Sequence, residues 1–224
     1  MFEFTPDSAY KYRKQALAVL DETRDLVGFY RTAKATVQAA GYGDEIDWQR
    51  KVTIEGLTVP EIIGDIMFVI LNSGMKATVA RKLNDELRLV FAGFANPAVL
   101  WELRDGLRLT ALRVLNHPGK IDAVFYAIRW FVEHDLDEFK GRLKAEGVDF
   151  LQTFPFIGKI TRYHLGKNLG LDVCKPDRWL VRVAERFDTT PEILCEYLSE
   201  QTGDRIPVVD IVLWRYCEMG ALDD

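Results

Sequence analysis

The prolines of this 224-residue chain stand where helices begin, and that placement constrains the fold more than any other feature. Thr5-Pro6-Asp7 reads as a cap, a first-turn proline and a first-turn acid. Thr58 and Glu61 frame Pro60 as a capping box, with Leu57 and Ile62 as a hydrophobic staple. Pro97 and Thr190-Pro191 open further helices, and Asn116-His117-Pro118-Gly119 is a turn. Between these marks the apolar residues recur at helical spacing, as in Ile121, Val124, Phe125, Ile128 and Val132. The helix from Pro60 to Leu71 is apolar almost all round and is therefore expected to be buried. Two helices are expected from the N-terminus to about Ala40, closed by Gly41 and Gly43. Asp135 is expected to cap a helix ending at Gly147, and a last apolar helix runs from Val208 to Tyr216. Val52-Thr53-Ile54 and Leu57-Thr58-Val59 flank Glu55-Gly56 as a possible small strand hairpin. The expected class is all-α with about ten helices.

Composition excludes several functions. A net charge of −5 rules out a wholly basic nucleic-acid binder but not a local basic patch. The three cysteines, Cys174, Cys195 and Cys217, cannot supply a four-thiolate iron–sulfur cluster. The longest purely apolar run, Ile66 to Leu71, is too short to span a bilayer. The N-terminus lacks a basic region followed by an apolar core, so a cytoplasmic location is expected, with no membrane partner. His117 and His134 have no metal-ligand spacing with the cysteines and read as turn and helix-end residues, so no metal site is expected from them.

Chemistry concentrates in residues 151–187. Phe154-Pro155-Phe156-Ile157-Gly158 is a tight hairpin between a short helix ending near Thr153 and a second helix beginning at Lys159. Such a hairpin presents successive backbone N–H groups at a helix N-terminus, which suits an anion. A polar bend, Leu171 to Pro176, leads to Asp177 in the first turn of a third helix. Residues 159–186 hold seven bases and three acids, a local balance of +4 that leaves −9 for the remainder. Arg178, Arg182 and Arg186 share one helix face, which composition alone reads equally as phosphate-facing or as an ordinary solvated stripe. Asp210, inside the apolar run, needs a partner: either a base such as Arg215 or groups of a functional cleft.

This segment resembles the helix-hairpin-helix (HhH-GPD) superfamily of DNA glycosylases. The hairpin of that family reads Leu-Pro-Gly-Ile-Gly, with a threonine soon after, and a Val-Asp opens a helix whose Arg-Val follows one turn later. Phe154 to Gly158 match the hairpin, Thr161 the threonine, Asp177 the catalytic aspartate, and Arg182-Val183 the Arg-Val. The match covers about a sixth of the chain. It implies a two-lobed helical fold with the cleft between lobes. A central lobe of residues 58–150 precedes the helix-hairpin-helix at 151–176. Residues 1–57 pack with residues 177–224 as the second lobe, and the hairpin and Asp177 meet at the junction.

The activity so implied is that of a monofunctional DNA glycosylase. It would flip a modified base out of double-stranded DNA and hydrolyse the N-glycosidic bond, leaving an abasic site. Asp177 would stabilise the cationic sugar. Phe156, Ile157, Gly158, Lys159, Arg162, Lys175 and Arg178 would contact DNA. Asn72, Ser73 and Met75 would lie in the wedging loop. Tyr163, His164 and Trp179 would line the base pocket. No cofactor is required; the resemblance admits a monovalent cation at Phe154 and Ile157, and a monomer is expected. Two departures stand out. Phe156 replaces the first hairpin glycine, and Ile160 stands where bifunctional members carry the Schiff-base lysine, so no lyase activity is expected; Lys159 is one residue away, turned by about 100°. Two other readings share the resemblance: a non-catalytic HhH DNA-binding protein, and an enzyme that processes a phage hypermodified base, such as a glucosylated one.

Overall fold

The computed structural model describes residues 6–222, and every regular element among them is helical. In chain order the α-helices are α1 (Pro6–Arg24), α2 (Leu26–Val37), α3 (Gly43–Lys51), α4 (Val59–Asn72), α5 (Ala77–Val90), α6 (Pro97–Glu102) and α7 (Arg104–Val114). They continue with α8 (Pro118–Glu133), α9 (Leu136–Glu146), α10 (Val148–Leu151), α11 (Thr161–Asn168), α12 (Arg178–Glu185), α13 (Pro191–Thr202) and α14 (Ile206–Glu218). The chain divides into two compact units. A central unit spans Val52–Leu171, and a composite unit joins the N-terminal segment through Lys51 to the segment from Asp172 onward.

Capping chemistry explains most of the boundaries. Thr58 N–H and Oγ1–H both donate to Glu61 Oε2, at 2.8 and 2.6 Å, opening α4. Asp135 caps α9 through Glu138 N (2.8 Å), and Gly147 ends it at φ 59°. His117 caps α8, its Nδ1 accepting from Lys120 N at 3.2 Å, so Pro118 is already helical rather than part of a turn. The cap expected at Thr5 lies outside the described residues.

Other boundaries differ from expectation. No strand forms at Val52–Ile54 or Leu57–Val59. Residues 54–56 make a turn, closed by Leu57 N–H to Ile54 O (3.3 Å), with Gly56 N–H held by Thr53 Oγ1 at 3.3 Å. A lone two-stranded hairpin has no further strand to pair with and loses to the neighbouring helices. Gly41 does break the helix, at φ 91°, but Gly43 begins α3 instead of closing α2.

In the composite unit, α14 supplies the centre. Its Val208, Val209, Val212 and Leu213 are buried against α2, α3, α12 and α13. Polar groups tie the two ends of the chain together there. Arg215 is fully enclosed and binds Glu45 (2.5 and 2.6 Å) and Glu218 (2.8 Å), and Tyr30 donates to Asp204 at 2.8 Å. Burial and the Asp204 carboxylate push the Tyr30 hydroxyl well up, which keeps it a donor.

In the central unit, α4 holds the corresponding position, packed by α5, α8 and α11. Eight of its fourteen residues are buried, as the apolar run required. A second layer is aromatic. Phe139, Phe150, Phe154 and Trp130 pack with ring centroids 5.1–6.3 Å apart. Phe154 thereby anchors the start of the hairpin in the core.

Candidate functional sites

The hairpin belongs to the central unit. Phe154 is buried and Ile157 nearly so, while Phe156 and Ile160 are exposed. Ile157 N–H closes the turn onto Phe154 O at 3.1 Å. Phe156 has φ 66°, the left-handed conformation that glycine adopts without cost. The residue that departs from the family pattern therefore keeps the backbone shape that a glycine would give. Its ring turns aside to the start of α8, 5.8 Å from the His117 ring and edge-on. A Cβ at Gly119 would come within 3.3 Å of that ring, so Gly119 leaves it room.

Thr161 organises the other side. Its Oγ1 accepts from Gly158 N–H at 2.7 Å, and Arg162 N–H returns to Gly158 O at 3.0 Å. The helix expected from Lys159 thus begins at Thr161. The amides of Lys159, Ile160 and Thr161 find no acceptor among the described residues. Three consecutive outward donors beside the Lys159 ammonium make a local anion-attracting surface. The Ile157 carbonyl likewise accepts nothing there, and Phe154 O accepts the Ile157 N–H that closes the turn. Arg162 is engaged locally: it pairs with Asp149, donates to Gln152 Oε1 (2.7 Å) and lies 4.9 Å over the Tyr163 ring.

Asp177 lies in the composite unit, as the N-cap of α12 rather than in its first turn. Its Oδ1 accepts from Trp179 N–H at 3.0 Å and more weakly from Leu180 N–H at 3.4 Å. Its Oδ2 faces the Lys175 ammonium at 3.4 Å, and the side chain remains 15% exposed. One oxygen is thus fixed by the helix start and the other is turned to a cation. The preceding bend is held from α14. Asp210, buried in that helix, accepts from Lys175 N–H through Oδ2 at 2.5 Å, and Asp177 N–H donates to Lys175 O at 2.7 Å. Ile206 N–H donates to Asp172 Oδ1 at 3.1 Å. Arg215 is not needed by Asp210, having Glu45 and Glu218. Arg178, over Trp179 (4.8 Å), and Arg186 are exposed, whereas Arg182 is partly buried near the Cys217 thiol, which burial pushes up to about 11. The arginine stripe is therefore only partly a solvated face.

The residues expected in the wedging loop follow α4. Asn72 Nδ2 donates back to Phe68 O at 2.9 Å, Ser73 is the C-cap, and Met75 packs on the central core. Lys120, absent from the sequence expectations, holds this loop. Its buried ammonium donates to Leu71 O (3.1 Å) and Ser73 O (2.7 Å), and burial lowers its pKa. A lysine in the first turn of α8 opposes that helix's dipole, which was the available signal; it serves the C-terminus of α4 instead, where a cation is favoured.

Asp65 was also missed. It is the one acid inside the apolar stretch of α4, mostly buried, and it hydrogen-bonds Asn168 of α11. Burial pushes its carboxyl up to about 7, against the opposing pull of Arg88 and Asn168. His164 sits nearby on α11, its ring 6.1 Å from Phe68 of α4. A cavity of about 460 Å³ elsewhere in the central unit contains none of the expected residues; it is walled by Tyr126, Trp130 and His134 with the ion pair Arg129–Glu133. No group of His, Cys, Asp and Glu among the described residues has the geometry of a metal site, and no described helix is long and apolar enough to cross a membrane.

Comparison with family models, with curated proteins and with solved structures finds no match to this chain.

Proposed function

We propose that the protein is a helix-hairpin-helix DNA glycosylase that releases a modified base by hydrolysis. The observation that carries this reading is the left-handed Phe156 within Phe154–Gly158, followed by three unpaired amides and Lys159. A bulky residue in that conformation is rare and costs on the order of 1 kcal/mol or more, so the hairpin shape is held against an intrinsic penalty. The amides and Lys159 take DNA phosphates; such contacts position the duplex without reading its sequence.

Asp177 supplies the anion that base release requires. Breaking the C1′–N bond leaves positive charge on the sugar, and a fixed carboxylate stabilises it while water attacks. Its Oδ1 is committed to the helix start, so Oδ2 is the oxygen assigned to the sugar. Ile160 offers no amine, and Lys159 is assigned to the phosphates rather than to the sugar; the product is an intact abasic strand. The cap bonds of Asp177 also favour a second reading, in which the residue is only structural and the protein binds DNA without cutting it.

Duplexes carrying alkylated, oxidised, deaminated and glucosylated bases, assayed for released base by mass spectrometry, test both. The glycosylase reading expects release of at least one base, slowed at least about a hundredfold in Asp177→Asn with DNA affinity retained. Binding without release by the wild type supports the second reading. A product formed only with a co-substrate would point to group transfer on a hypermodified base.

A further inference from the structure

We propose that the cavity of about 460 Å³ on the C-terminal half of α8 binds a small molecule that joins a flat ring to an oxyanion, either a carboxylate or a phosphate. The cavity lies within the central unit, and none of its residues carries a role in base release.

Its walls follow from helix geometry. Tyr126, Arg129, Trp130 and Glu133 stand at i, i+3, i+4 and i+7 on α8 and so share one face. Arg142 reaches the cavity from α9. His134 is the C-cap of α8; its extended backbone ends the helix, and its ring stacks on Trp130 at 4.6 Å and 26°. The aromatic layer of the core fixes these walls. Trp130 is buried against Phe139, and the Tyr126 ring stands edge-on to the buried Phe154 at 6.0 Å. The volume is in the range of small-molecule sites and exceeds what a bare oxyanion fills. The half-buried His134 ring and the exposed Tyr126 ring supply flat apolar surface against which a ligand ring can pack.

The polar groups left over in these walls are mostly donors. Arg129 gives Nε to Glu133 at 2.7 Å, and its two amino nitrogens have no partner among the described residues. Arg142 spends Nε and Nη2 on Glu146, at 2.8 and 3.1 Å, and keeps Nη1. Each guanidinium also lies against a ring, Arg129 at 5.7 Å over Trp101 and Arg142 at 4.3 Å over Phe150, so both are held in place. His134 turns Nδ1 to Glu138 at 2.9 Å and leaves Nε2 over. The Tyr126 hydroxyl has no partner among the described residues. Two guanidinium edges and a phenol hydroxyl suit the oxygens of an oxyanion, which accept without donating. Glu133 and Glu146 offset much of the charge of the arginines, so directed N–H bonds rather than net charge select the ligand. The second carboxylate oxygen of Glu133 remains as an acceptor in the same wall, which favours a ring that carries an amino or hydroxyl group.

The test is binding of adenosine 5′-monophosphate and of 4-hydroxybenzoate to the full chain, followed by NMR of the backbone amides, with adenosine, phenol and inorganic phosphate as controls. At least one of the two ring-bearing oxyanions is expected to shift the amides of residues 126–134 and of Arg142. It should bind at least about tenfold more tightly than its uncharged ring and than phosphate, as hydrogen bonds to a charged acceptor require. Preference for the nucleotide assigns a phosphate ligand, and preference for the benzoate a carboxylate. Arg129→Gln and Arg142→Gln, both at surface ion pairs and so compatible with folding, should each weaken binding about tenfold. Tyr126→Ala should lower the affinity for the oxyanion with its ring and leave that for phosphate alone unchanged. The site is refuted if neither compound binds at millimolar concentration, if the uncharged rings bind as tightly as the oxyanions, or if both arginine variants keep the wild-type affinity. Shifts confined to residues 158–162 of the hairpin would refute it as well.

Discussion

Helices α4 and α14 occupy the same role in different units, and each carries one carboxylate within a buried apolar stretch. Their fates differ. Asp210 is enclosed by α14 and spends Oδ2 on a backbone N–H of the bend before Asp177. Asp65 is mostly buried on α4, bonded to the Asn168 side chain, and burial pushes its carboxyl up to about 7. A buried carboxylate with a fixed backbone donor sets geometry and stays charged; one held by a neutral carboxamide gains less for its charge, and burial favours its protonated form. Identical residues in similar helical contexts thus end with different partners, a backbone amide for Asp210 and a side-chain carboxamide for Asp65, according to what the neighbouring segment presents.

The sharpest way to break that contrast is to remove the brace. Asp210→Ala is expected to cost about 3 kcal/mol in urea unfolding, because the Lys175 amide loses its buried charged acceptor. Asp210→Asn retains an acceptor and should cost less than half as much. Equal losses in the two variants would show that Asp210 acts by charge rather than by holding Lys175 N–H.

Gly170→Ala probes the central unit at a comparable scale. Gly170 has φ 86°, and a Cβ there would lie 2.7 Å from the Thr53 backbone carbon. Neither backbone yields cheaply, so a loss of about 3 kcal/mol is expected. A loss under 1 kcal/mol would mean that the segment joining α3 to α4 is loosely held.

The pH dependence of Asp65 comes next. Its folded value of about 7 lies above the unfolded value of 3.8, so folding takes up a proton. Stability from this group is greatest below pH 4, falls as pH rises towards 7 and is flat beyond. The wild type should lose about 2 kcal/mol relative to Asp65→Asn between pH 4 and pH 8, a figure reduced for partial solvent screening. A constant difference across that range would place Asp65 with Asp210 as a structural group. The smallest effect is expected from Phe156→Gly. Relief of the left-handed strain offsets loss of the His117 contact, giving a net change within about 1 kcal/mol and undiminished DNA affinity.

Much of this architecture was legible in the chain itself. The caps at Thr58, Asp135 and Thr190, the prolines after them, and the apolar run of α4 each determine structure within a turn or two, because the hydrogen bonds involved are local. The hairpin was legible for the same reason, being five consecutive residues. The failures are equally instructive. Val52–Val59 has strand-like residues, but a strand depends on a partner the fold does not provide. The sequence places Lys159 in a helix that in fact begins at Thr161, since the Thr161 hydroxyl accepts from the Gly158 amide and sets the boundary.

What the sequence by itself determined about this protein is the helical class, the place of most helix starts and the hairpin at Phe154–Gly158. What only the tertiary structure decided is which groups those residues meet. Asp210 finds a backbone amide 35 positions away, Lys120 the carbonyls at the end of α4, and Asp65 the carboxamide of Asn168. Local periodicity carries no information about such pairings, because they depend on how helices distant in the chain pack and on the burial that makes an unpaired polar group costly.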